Sequence, residues 1–127
     1  MEIKKLEQQI RLLVLFFIAG LLFAGITAIP LQAELKWLIK NEAYFPEWMD
    51  MWVLNVYNGI AATDAQYPFI LYGVDWLAYA HIIIAILFIG VLRDPVRNIW
   101  IVDWAIISCI IIFPVAFIFG PIREIPF

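Results

Sequence analysis

Charged residues, cysteine and histidine are scarce in this sequence, and each shortage excludes something. Only 15% of the 127 residues are charged, against roughly a quarter in an ordinary soluble domain. The net charge of −3 comes without a basic cluster, which argues against nucleic-acid binding. The single cysteine, Cys109, excludes a disulfide within one chain, and together with the single histidine, His81, it excludes a Cys/His metal cluster in one copy. We therefore expect no metal site.

Apolar residues are abundant instead. They make up 65% of the chain, with 17% aromatic residues and a mean hydropathy of +0.94. So much apolar surface must face a lipid bilayer rather than water. Three long apolar runs predict membrane spans at residues 12–29, 69–92 and 99–120. The fold class we predict is all-α: a three-helix integral membrane bundle, with one or two short interfacial amphipathic helices between the first and second spans, forming a single membrane domain over residues 1–127.

Residues 31–68 are predicted to cap the bundle on one side. The spacing of Leu31, Leu35 and Leu38 indicates one short helix, and Pro46 opens a second. One stripe of the second helix is apolar and aromatic, which is typical of a helix lying in the headgroup region; it comprises Trp48, Trp52, Val56 and Ile60. We expect this helix to end near Gly59 and the stretch 61–66. A partner-docking role for the same surface stays open.

A stripe of small residues marks the first predicted span. Gly20, Ala24 and Ala28 recur every four residues and so share one face of a helix. Small side chains let a second helix approach closely, so we expect this face to be a packing surface rather than a ligand groove.

Basic residues predict the orientation. Lys4, Lys5 and Arg11 precede the first span, and Arg93 and Arg97 lie between the second and third. Three crossings place both groups on one side, which the positive-inside rule makes cytoplasmic. The expected location is the inner (cytoplasmic) membrane, with residues 31–68 and the C-terminus outside.

His81 is the most informative polar residue, because it lies near the middle of the second span. A polar side chain at that depth needs a partner. Ser108 and Cys109 in the antiparallel third span are predicted at a similar depth, and Pro114 frees the carbonyl of Ile110 there. The structural interpretation is a hydrogen bond from His81 to Ser108 or to that carbonyl. The functional alternative is a haem ligand, a quinone partner or a proton relay, with haem needing a second ligand from another chain.

Two carboxylates also lie within predicted spans. Asp75 has Tyr79 four residues on, on the same helix face, and no basic residue of its own helix at its depth. Three interpretations stay open: Asp75 is protonated, it meets Lys36 or Lys40 of the capping helices, or it pairs with another chain. Asp103 lies close to the loop, where an ion pair with Arg93 or Arg97 is the favoured interpretation.

One stretch carries a resemblance. At YPFILYGVDWLAYAHIIIAILFIGVLRDPVRNIWIVDW and GPIREIPF the chain resembles a set of small, uncharacterised bacterial multi-span inner-membrane proteins, over about residues 67–127. The resemblance implies architecture and location and supplies no catalytic residue. Members of this set often continue into a further apolar segment beyond the position of Phe127.

Three functional classes remain from the sequence. The first, which we favour, is a non-catalytic subunit or scaffold packing against other membrane proteins or against further copies of itself in the bilayer. The second is a redox, quinone-interacting or haem-interacting membrane protein using His81. The third is a small oligomeric transporter, or a lipid-modifying enzyme, using Asp75 and His81. No catalytic cluster is recognisable, and we therefore favour a protein that is not an enzyme.

Overall fold

The computed structural model describes residues 2–41 and 44–125, which form five helices and no strand. The helices are α1 (Glu2–Ala28), α2 (Leu31–Lys40), α3 (Glu47–Gln66), α4 (Pro68–Arg93) and α5 (Ile99–Ile122). Three of them, α1, α4 and α5, are long and apolar enough to cross a membrane. The predicted all-α class with three candidate spans and two intervening helices is therefore confirmed.

Proline positions several of the helix boundaries. Pro30 follows α1 and Pro68 begins α4. Pro46 precedes α3, and its carbonyl oxygen accepts a hydrogen bond from the backbone N–H of Met49 at 2.9 Å. Proline suits the start of a helix because it has no N–H to leave unpaired there.

Helix α3 ends at Gln66, the last residue of the stretch predicted to end it, and not at Gly59. The helix continues through Gly59 to Gln66, because one glycine costs a helix only about 1 kcal/mol and does not break it. Two contacts support the extra turns: the Thr63 hydroxyl donates to the Gly59 carbonyl at 2.8 Å, and the Gln32 side-chain amide of α2 donates to Asp64 at 2.9 Å.

By its contacts the chain divides into two compact units, Phe16–Ile86 and the pair of segments Met1–Leu15 and Leu87–Phe127. The single domain inferred from length stays a prediction. In the first unit, α2 and α3 pack as an antiparallel pair: Gln32 meets Asp64 near the end of α3, whereas Lys36 lies 5.9 Å from the ring of Tyr57, earlier in α3. Leu35, between these two contacts, is buried.

The second unit contains the turn between α4 and α5. Asn98 holds this turn closed, since its side-chain amide donates to the carbonyls of Gly90 at 3.0 Å and Asp94 at 2.9 Å. The Asp94 carboxylate in turn accepts the backbone N–H of Arg97 at 3.0 Å.

A Schellman motif closes α5. The backbone N–H of Ile125 donates to Gly120 at 3.0 Å, and that of Glu124 donates to Pro121 at 3.1 Å. Glu124 occupies the left-handed position with φ 57°, where glycine is the favoured residue.

Candidate functional site on helix α4

An aromatic row lies near the Pro68 end of α4. Tyr72, Trp76 and Tyr79 follow each other at helical spacing and are all more than half exposed. Trp76 meets both tyrosines edge to face, with ring centroids 5.9 Å and 84° from Tyr72 and 5.6 Å and 86° from Tyr79. Such pairs hold the rings in fixed mutual orientation, so the row is an ordered surface.

Asp75 lies beside this row and borders two cavities. The first is a groove of about 430 Å³ lined by Asp75 and the three aromatic residues. The second is a cleft of about 690 Å³ that Asp75 and Tyr72 share with residues of α2 and α3, among them Gln32 and Asp64. Asp75 thus lines two spaces, each large enough for a small polar group.

The predicted partners of Asp75 do not contact it. Among residues 2–41 and 44–125, none forms an ion pair or hydrogen bond with its carboxylate. The Tyr79 ring packs against Trp76, and the Lys36 ammonium lies over Tyr57. Asp75 therefore presents an uncompensated carboxylate on an exposed, aromatic part of α4.

His81 is half-buried on α4, opposite Gly25 of α1. Its Nδ1 lies 2.7 Å from the carbonyl oxygen of Leu77. A carbonyl only accepts, so Nδ1 carries the proton, and in the neutral ring Nε2 carries a lone pair. Asp75 and His81 are six residues apart, which places them about 120° apart around the helix. The structure therefore does not bring these two side chains to one face.

Gly25 of α1 lies close against α4, and the sequence reasoning missed this residue. A side chain there would place its Cβ 2.8 Å from the Ala78 carbonyl oxygen, 3.1 Å from the His81 Cβ and 3.1 Å from Ile82. Ala78 itself is fully buried. The available signal was an isolated glycine inside a helical pattern, which often marks tight packing.

The predicted small-residue stripe lies elsewhere on α1. A Cβ at Gly20 would meet no atom of another described segment within 4 Å, and Ala24 is exposed. Ala28 lines the 690 Å³ cleft. The role of this stripe in packing against a partner helix stays a prediction.

The other polar residues of the predicted spans bond locally or are exposed. The Ser108 hydroxyl donates to the Trp104 carbonyl of its own helix at 2.8 Å, and Cys109 is a free, exposed thiol. The hydrogen bond predicted between His81 and α5 stays a prediction.

The loop differs from what the sequence indicated. Asp103 is exposed, and within the described residues it forms no ion pair with Arg93 or Arg97. Hydrogen bonds from Asn98 close the turn instead. An exposed ion pair contributes little to stability, which explains why the turn does not depend on an ion pair.

The described residues contain no cluster of three or more His, Cys, Asp or Glu able to hold a metal ion. The chain matches no protein-family model, no curated protein and no solved structure. The resemblance of residues 67–127 to small inner-membrane proteins consequently stays an expectation, and any function must be argued from the geometry of this chain.

Proposed function

We propose that this protein is a non-catalytic helical membrane subunit that packs against another membrane protein through α5. The observation that carries the proposal is the exposure of this helix. Its one buried residue is Ile101, and every residue from 106 to 119 is exposed. Helix α4, by contrast, buries a face that includes Ala78, Ala85 and Val91.

Pro114 leaves one backbone carbonyl of this exposed stretch without its hydrogen-bond donor. Proline has no N–H, so the carbonyl of Ile110 loses its usual α-helical donor in the middle of an apolar run. In hydrocarbon, an unsatisfied backbone group costs several kcal/mol, and neighbouring helices normally supply the missing contact. Ser108, whose hydroxyl bonds its own helix, lies close by. A partner helix with a donor at this depth would satisfy the carbonyl and cover the face.

The proposed setting is the cytoplasmic membrane. Basic residues before α1 and between α4 and α5 favour a cytoplasmic position for both, and α2 and α3 then lie outside. The fixed pairing of α2 with α3 supports a cap on that side.

Crosslinking tests the proposal. A photoreactive residue replaces Ile110, which is 63% exposed, and in a matched control it replaces Leu13 of α1, which is 69% exposed. We expect Ile110 to give a protein adduct of defined mass in native membranes, and the same protein to copurify at fixed stoichiometry in mild detergent. Lipid adducts alone at both positions, with a chain that purifies by itself, would contradict the proposal.

The geometry of His81 supports a second candidate, a haem-binding or quinone-binding role. Histidines that bind a metal commonly donate their other ring N–H to a backbone carbonyl, as His81 does to Leu77. A second axial ligand would come from another chain. A Soret band in the purified complex that disappears in His81→Ala supports this candidate, and a colourless complex with no bound quinone removes it.

A further inference from the structure

Beside the Pro68 end of α4, a carboxylate and three aromatic rings line one groove. At about 100° per residue, Tyr72, Asp75, Trp76 and Tyr79 fall within about 100° of arc on the helix surface. They line an open groove of about 430 Å³. We propose that this groove binds the primary ammonium headgroup of an ethanolamine-type phospholipid, a role beyond that of a packing subunit.

Charge complementarity selects a cation. The Asp75 carboxylate has no cationic partner in the described part of the chain. The faces of tyrosine and tryptophan rings attract cations through their negative electrostatic potential. Asp64 lines the cleft on the other side of Asp75 and adds a second negative charge nearby. An anionic headgroup would be repelled at the same place.

Hydrogen bonding selects a primary ammonium over a quaternary one. A carboxylate accepts short, charge-assisted N–H bonds from –NH₃⁺, and a choline headgroup has no N–H to donate. The three rings form an open row rather than a closed box, because their contacts run along one helix face. A row of this kind leaves one side of a small ammonium free to meet Asp75.

The depth of the groove fits a lipid headgroup. Asp75 is seven residues after Pro68, which is about 10 Å along the helix. The 26 residues of α4 span about 39 Å, roughly 9 Å more than a hydrocarbon core. With this excess at the Pro68 end of the helix, Asp75 lies within about 2 Å of the boundary between hydrocarbon and headgroups, Tyr72 lies on the headgroup side, and Tyr79 lies about 6 Å deeper than Asp75. The outer part of the groove is therefore at the level at which tryptophan and tyrosine collect.

Native mass spectrometry of the purified chain tests this, with phosphatidylethanolamine, phosphatidylcholine and phosphatidylglycerol of identical acyl chains added at equal concentration. We expect retention of the ethanolamine lipid to exceed that of the choline lipid by about tenfold, from the charged hydrogen bond that choline cannot donate. It should exceed that of the glycerol lipid by at least as much, because the glycerol headgroup carries no cation for the rings or the carboxylate. Asp75→Asn should abolish this preference, and Trp76→Leu should lower the retention of the ethanolamine lipid. Asp103→Asn is the matched control, because Asp103 is also exposed and also precedes a tryptophan.

Each other outcome overturns the proposal. Equal retention of the three lipids would mean that the protein binds surrounding lipid without selecting a headgroup. A preference for the choline lipid would mean that the aromatic rings bind a quaternary ammonium and that the hydrogen bond to Asp75 is not made. Selectivity that survives Asp75→Asn places the site elsewhere. If Asp75→Asn instead releases a copurifying protein and leaves lipid binding unchanged, the carboxylate pairs with a protein cation. Crosslinking from Ile110 is independent of all these results, so the packing role and the lipid site succeed or fail separately.

Discussion

Adding one methyl group at Gly25 tests the packing of α1 on α4. In Gly25→Ala the new Cβ would lie 2.8 Å from the Ala78 carbonyl oxygen and 3.1 Å from two carbon atoms of α4, the His81 Cβ and Ile82 Cγ1. Non-bonded carbon atoms are most stable at about 3.5–4.0 Å, so the helices must separate. The oxygen belongs to the backbone of a fully buried residue and cannot rotate away. Overpacking of this kind costs about 1–3 kcal/mol.

Gly20→Ala is the matched control, because Gly20 lies on the same helix and a Cβ there meets no other described segment within 4 Å. Both changes gain the higher helix propensity of alanine, worth up to about 1 kcal/mol, and this gain cancels in the difference. We expect the free energy of unfolding of Gly25→Ala to lie about 1–3 kcal/mol below that of Gly20→Ala. Reversible SDS titration followed by tryptophan fluorescence measures it. Equal stabilities for the two variants would refute the close approach.

Three further changes have definite expected outcomes. Asn98→Ala removes two hydrogen bonds to Gly90 and Asp94 and should lower the free energy of unfolding by about 1–3 kcal/mol, seen in the same titration; an unchanged value would show that the turn holds without them. Glu124→Gly relieves a left-handed residue and should slow hydrogen exchange in the last turn of α5, by up to about 1–2 kcal/mol in opening free energy; faster exchange would contradict this. Leu35→Ala empties a buried position between α2 and α3 and should cost about 2 kcal/mol or more, with faster proteolysis of residues 31–66; wild-type proteolysis rates would argue against their pairing.

The three spans were predictable because a membrane-spanning helix is recognised from the length of one continuous apolar run. A bilayer requires about 20 apolar residues per helix, and the runs at 12–29, 69–92 and 99–120 satisfy that requirement without reference to any neighbour. In the structure, the helices that correspond to the last two runs are longer than predicted by only two residues each, and they are Pro68–Arg93 and Ile99–Ile122.

Which face of each helix contacts a neighbouring helix was harder to predict from the sequence. Hydropathy is nearly uniform around an apolar span, so nothing in the run 12–29 shows that Gly25 rather than Gly20 meets another helix. The same limit applies to Asp75, since its lack of a cation depends on where Lys36 points, and Lys36 lies over Tyr57. The sequence places Asn98 just before the third predicted span, but only the coordinates show that its side-chain amide donates to two backbone carbonyls.

The bilayer crossing of α1, α4 and α5 is the claim on which the rest depends, and thiol labelling tests it directly. In a Cys109→Ser background, single cysteines replace Asn58 in α3 and Val96 in the turn before α5, both exposed positions. A membrane-impermeant maleimide applied to intact cells should label Asn58→Cys at once, and Val96→Cys only after the membrane is opened. Labelling of both positions without opening the membrane would contradict the account.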